Sequence, residues 1–205
     1  MITKCFDDVV QEVTRLPSGL WRRLAFAAAC AERLIPFYLC YTKQLNISFT
    51  PYFSALDYIW NCLRAMKCDE LEVRRLSIEC ERVLPNEDDA WKAGCPYADD
   101  ATAAILYCLR LILTGDQQEA IWAAKRAYEV ADNFVMSHSD YDIDSPDDEL
   151  KILHHPVVQK EITRQLFDLY QLQRVSAELS DWQRLCNDIR RNAKSDAITF
   201  FNFPS

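Results

Sequence analysis

Glycine is nearly absent from this chain: three residues in 205, at Gly19, Gly94 and Gly115. Tight hairpins use glycine to reach positive φ, and phosphate-cradling loops need it where backbone approaches ligand, so a chain with so few has little room for either. A helical architecture remains, and the apolar periodicity agrees with it nearly throughout. Thr3 can cap a first helix over about residues 4–15, with Phe6, Val9, Val10 and Val13 on one face. Ser18 can cap a second carrying Trp21, Leu24, Ala28 and Ala31, which Pro36 is expected to kink or restart. Thr50-Pro51 is a start signal, a capping hydroxyl and then proline in the first turn. The stripe after it holds Phe53, Leu56, Trp60 and Leu63, and Asp69 can cap a further helix that stops before Pro85.

The second half alternates helices with polar connections. Residues 86–96 read as a loop or short turn. Tyr97 or Asp99 opens an alanine-rich helix to Thr114, Gly115 ends it, and Asp116 caps a helix to about Ser137. Ala120, Ala124, Ala127 and Ala131 repeat along one face there, and small side chains let neighbouring axes approach closely. Residues 138–149 form an acidic loop, Pro156 starts a long helix, and residues 197–205 are expected to be an extended tail. The expectation is therefore all-α: a single domain over residues 1–205 with about seven to nine helices. The pair 97–114 and 117–137 should lie at its centre, with the 156–175 helix packed against it.

The chain is long enough, and with five Trp, nine Tyr and ten Phe apolar enough, to bury a core. It shows no basic, apolar leader and no run of about 18 apolar residues, so a cytoplasmic protein without a membrane span is expected. Nine cysteines without a C-x-x-C pair point to reduced thiols, mostly small core side chains, rather than to a zinc ribbon. Cys95, between Gly94 and Pro96, is the candidate for an exposed reactive thiol.

The net charge of −8 is unevenly placed. Residues 1–85 carry 11 basic and 10 acidic side chains, residues 86–150 carry 4 and 15, and residues 151–205 carry 8 and 6. The whole excess lies in the middle segment. Such a field disfavours nucleic acid and favours a basic protein partner.

The stretch from Gly94 to Val135 also carries a resemblance. Pro96-Tyr97-Ala98-Asp99-Asp100, Thr114-Gly115-Asp116, Trp122-Ala123-Ala124, Arg126-Ala127-Tyr128 and Asp132 resemble the signature of the YjaG-like bacterial proteins, a family of unknown function. Weaker matches include Glu32-Arg33 upstream and His155-Pro156, Glu161, Gln165 and Asp168 downstream, so the resemblance spans about residues 16–172. It implies a compact all-α cytosolic fold and transfers no catalytic residue. Asp132 is expected to make a buried bond, with Arg126 or Arg33 as candidate partners.

Several acidic constellations invite a chemical reading. Tyr97-Ala98-Asp99-Asp100 has the form of a polymerase Y-x-D-D box, but it runs straight into a helical pattern, where an Asp caps the helix and complements its dipole. Asp140-Tyr141-Asp142-Ile143-Asp144 begins like a calcium loop, yet Ser145 and Lys151 stand where an EF-hand needs Gly and Glu. His154 and His155, beside Pro156, read as local caps.

Two functional classes follow. The first is an interaction protein, most simply an immunity or inhibitor protein that neutralises a basic nuclease toxin through an acidic surface. Its expected partner-binding residues are Glu87, Asp88, Asp89, Trp91, Asp140, Tyr141, Asp142, Asp144, Asp147, Asp148 and Glu149, with Trp91 and Tyr141 as aromatic anchors. No catalytic residue, metal or cofactor is assigned in this reading. The second class is a metal-dependent hydrolase with carboxylates at Asp99, Asp100, Glu129 and Asp132; a housekeeping helical protein is the third possibility.

Overall fold

Helix boundaries fall where the chain supplies a cap, a proline or a left-handed residue. The structure, a computed structural model, describes residues 3–141 and 145–199. Among these residues there are ten helices: α1 (Phe6–Arg15), α2 (Leu20–Leu45), α3 (Thr50–Ala65), α4 (Glu70–Arg82), α5 (Glu87–Lys92), α6 (Ala98–Thr114), α7 (Gln117–Ser137), α8 (Pro146–His154), α9 (Pro156–Arg174) and α10 (Leu179–Thr199). The fold is all-α, as expected.

Several start and stop signals act as the sequence predicts. Asp69 accepts from the Leu71 amide at 2.9 Å and Asp116 from the Gln118 amide at 2.9 Å, each satisfying an orphan donor of a first turn. Gly115 ends α6 at φ +69°, a conformation open to glycine at no steric cost. His155 caps α9 by accepting from the Val157 amide at 3.3 Å.

Other boundaries are corrected. Cys5 rather than Thr3 precedes α1, its amide donating to Asp8 at 2.9 Å, and Gly19 rather than Ser18 precedes α2. α2 runs on through Pro36 to Leu45. A missing amide is tolerated there because packing, rather than propensity, holds most of the helix. Residues 87–92, expected as a loop or short turn, form a short helix. The acidic loop is shorter than expected: Pro146 at the first turn starts α8, and Asp147, Asp148 and Glu149 complement its dipole. The expected extended tail begins inside α10, which continues to Thr199; residues 200–205 lie outside the described ones.

The centre is a three-helix group rather than the expected pair. α2, α6 and α7 pack mutually, α4 covers α6, α9 and α1 cover α7, and α3 and α10 flank α2. Alanine makes the close approach possible: Ala27, Ala28 and Ala31 of α2, Ala101 and Ala104 of α6, and Ala120, Ala123, Ala124 and Ala127 of α7 are fully buried. α2 is long and apolar enough to cross a membrane, yet 83% of its most apolar window is buried among the other helices. Its apolar surface is thus already removed from water by the bundle.

Polar groups stitch this core. Arg33 of α2, 1% exposed, donates to Glu161 at 3.0 Å and to Asp168 at 2.9 Å, both on α9. Gln165 donates to Glu161 at 2.9 Å and to the Ala124 carbonyl of α7 at 3.1 Å. Burial pushes the Asp168 carboxyl up to about 6 against the pull of Arg33. Glu32, next to Arg33, accepts from the Trp60 indole at 2.7 Å and from Arg190 at 3.2 Å, linking α2 to α3 and α10. Two adjacent residues of α2 thereby tie three other helices together, and Gln165 of α9 extends the network to α7.

Candidate functional site

Glu87, Asp99 and Asp100 meet the end of α7 and Tyr141 at one cleft of about 550 Å³. One wall is α5, where Glu87 and Trp91 stand one turn apart on the same face. Asn86 sets this helix by accepting from the Asp88 amide at 2.9 Å. The floor is the start of α6, with Tyr97, Asp99 and Asp100. The far wall is the end of α7 and the residues after it: Asn133, Met136, Ser137 and Tyr141.

Tyr97 organises the floor. It is the residue before α6 and holds a left-handed backbone at φ +73°, which is uncommon for a bulky residue and costs on the order of 1 kcal/mol or more. The side chain is locked on three sides. It packs edge-on against Phe37 of α2 with ring centroids 5.4 Å apart, sits 6.4 Å from Trp91, and its hydroxyl lies 3.4 Å from Ser137 Oγ. Burial raises its pKa, so it is a neutral aromatic wall. Trp91 is 54% exposed, an unusual state for so large an apolar side chain.

The carboxylates differ in partner. Asp100 is buried and meets Arg126 of α7 at 3.1 Å, and Arg126 also meets Glu129 at 3.2 Å. Burial, with Asp99 adjacent, pushes Asp100 up to about 6. Glu87 and Asp99 have no cationic partner among the described residues. Neither Asp99 nor Asp100 caps α6 by its side chain, contrary to the sequence expectation.

Of the expected partner-binding residues, Glu87, Trp91 and Tyr141 line the cleft. Asp88, Asp89, Asp140, Asp147 and Glu149 are exposed, on the same two segments that carry the cleft-lining residues. Asp89 faces Lys92 at 3.8 Å, and Asp148 accepts from Lys151 at 2.6 Å, with that ammonium 5.8 Å from the Tyr141 ring. Asp142 and Asp144 lie outside the described residues. Sequence reasoning missed Asn133, Met136 and Ser137, which carry no motif; it read Tyr97 as a helix start, and Asp99 and Asp100 as a cap or, in the hydrolase alternative, as carboxylates of a metal site. The signal available was Tyr97 itself, an aromatic where a capping residue belongs.

Two further expectations change. Asp132 bonds neither Arg126 nor Arg33; it accepts from the Tyr128 hydroxyl at 3.2 Å, while Arg33 is held by α9. Cys95 is buried rather than exposed, and burial pushes its thiol up to about 12. Among the described residues no group of three or more His, Cys, Asp or Glu side chains is gathered as a metal would require.

Fold and site together define an all-α bundle with an acidic, aromatic-walled cleft at one end of its central helices. Residues 8–200 match the family described as a protein of unknown function, DUF416, and the chain belongs to that family. It is similar in fold to a DUF416 family protein from Shewanella baltica OS155, with a TM-score of 0.73 and 20% identity over 93% of this chain and 95% of that one. No curated protein matches the chain.

Proposed function

We propose that this protein is a cytoplasmic interaction protein that seats a basic protein partner on the acidic face centred on the Glu87–Trp91–Tyr141 cleft. The observation that supports this reading most is a cavity in which Glu87 and Asp99, without a cationic partner among the described residues, stand beside the rings of Trp91, Tyr97 and Tyr141. Unpaired carboxylates beside exposed aromatic faces suit a guanidinium or ammonium, which gains both a charge-assisted hydrogen bond and a cation–π contact. The partner that fits best is a basic nuclease toxin, with this protein as its immunity factor: exposed acids at the spacing of a surface patch imitate phosphates to such an enzyme and steer its approach. Membership of a family of unknown function is neutral on this point.

The test is affinity capture from the host at two salt concentrations, run in parallel with a variant carrying Glu87→Lys, Asp89→Lys and Asp147→Lys. A stoichiometric basic protein, lost as salt rises and absent from the variant capture, supports the reading. Retention of the same protein by the charge-reversed variant, or capture of acidic proteins only, overturns it.

A further inference from the structure

Beside the cleft two cysteines meet that are far apart in sequence. Cys40, exposed near the C-terminal end of α2, and Cys95, buried in the turn before α6, have their sulfurs 2.7 Å apart across a sequence separation of 55. A disulfide bond is about 2.05 Å long, so bond formation asks for a closing movement of well under 1 Å. We propose that Cys40 and Cys95 are an oxidant-reactive dithiol that forms a reversible disulfide between α2 and the turn carrying Tyr97.

The two members have distinct exposures and therefore distinct tasks. Cys40 meets solvent and a small hydroperoxide. Its sulfur takes the terminal peroxide oxygen to become a sulfenic acid, and the alcohol or water is released. Cys95, shielded from the oxidant, then attacks the Cys40 sulfur; the S–S bond forms, the S–O bond breaks, and the hydroxyl leaves as water with the Cys95 thiol proton. In sum, two thiols and one hydroperoxide give one disulfide, one alcohol and one water. A small thiol reductant reverses it by two exchanges, as suits a reducing compartment where disulfides are transient.

The location gives the bond something to act on. The Cys95 amide donates to the Ala90 carbonyl at 3.0 Å, closing off α5, which bears Glu87 and Trp91. Phe37, one turn before Cys40 on α2, is the residue on which Tyr97 rests edge-on. A covalent tie there joins α2 to the turn between α5 and Tyr97, and it does not depend on the cleft's occupant.

The experiment treats the full chain with stoichiometric hydrogen peroxide, then with excess iodoacetamide after unfolding, and maps cysteines by peptide mass spectrometry. The expected result is a Cys40–Cys95 linked peptide that has lost two hydrogens and disappears with dithiothreitol. Cys95→Ser should leave Cys40 as a sulfenic acid trapped by dimedone, and Cys40→Ser should leave Cys95 reduced. Alkylation of both residues under conditions that oxidise other thiols overturns the proposal. So does a link between Cys62 and Cys68, whose side chains hydrogen-bond to each other, in place of this one. The mapping of the unsubstituted chain decides the matter even where a variant folds poorly.

Discussion

Two carboxylate-rich regions lie within this bundle, and they use the same side chains to opposite ends. At the α2–α9 contact, Glu161 and Asp168 are buried and both close on Arg33. At the α5–α6–α7 cleft, Glu87 and Asp99 face open space without a cationic partner among the described residues, and Asp100 alone is neutralised, by Arg126. Where one buried guanidinium closes on both carboxylates, the cluster holds helices together and leaves nothing for a ligand. Where the counter-charge is missing and aromatic rings stand nearby, the carboxylates stay open to solvent and, in the proposed reading, to a cationic partner. The difference between the two regions is whether the carboxylates have a cationic partner within the fold, not residue type.

That contrast is broken or sharpened by substitution. The largest expected effect is at Arg33→Met. Removing the cation leaves buried Asp168 without its partner and Glu161 with only the Arg164 cation, at 4.0 Å, a loss of about 3–5 kcal/mol in urea unfolding; a loss below about 1 kcal/mol would make the core cluster no different from a surface one. Next comes the cleft: Trp91→Ala with Glu87→Lys should weaken basic-partner binding at least about tenfold, while circular dichroism and melting temperature stay near those of the parent. A smaller effect separates the caps from both regions: Asp116→Ala should cost about 1 kcal/mol by loss of one amide acceptor.

The pH response is smaller and has a definite sign. Asp100 and Asp168 both titrate near 6 in the fold, above the ordinary aspartate value of 3.8. The folded chain therefore holds these protons where the unfolded chain has released them. Their contribution to stability is fully present below about 3.8 and is lost as pH rises through about 6. Asp100→Asn should flatten part of the change in urea midpoint between pH 5 and pH 7.5, since the amide does not titrate. Smallest of all, Glu87→Gln should change stability by no more than about 0.5 kcal/mol, because no partner is lost.

Much of this was legible before the structure. Helix existence followed from apolar spacing, and caps at Asp69, Asp116 and His155 followed from local chemistry that acts within a few residues. Features set by tertiary packing were not legible. Pro36 continues α2 because its neighbours are buried, and α2 rather than the α6–α7 pair dominates the centre because its alanines meet both. The matched residues Glu32, Arg33, Glu161, Gln165 and Asp168 were visible as a pattern, yet only their contacts reveal a core network. Of the cleft, the acidic and aromatic residues of α5 and Tyr141 were named from charge and composition. Their approach to one another, and the contribution of Asn133, Met136 and Ser137, depended on how α7 ends against α6.

The central claim is that the cleft recognises cationic side chains, and it is tested most directly by a nuclear magnetic resonance titration of the labelled protein with a short arginine-rich peptide. The account predicts shifts concentrated on the Trp91 indole and on the amides around Tyr97 and Tyr141, weakening with salt and abolished by Trp91→Ala with Glu87→Lys. Shifts spread evenly over exposed carboxylates elsewhere, such as Glu70 and Glu79 of α4, with the cleft signals unmoved, would contradict it.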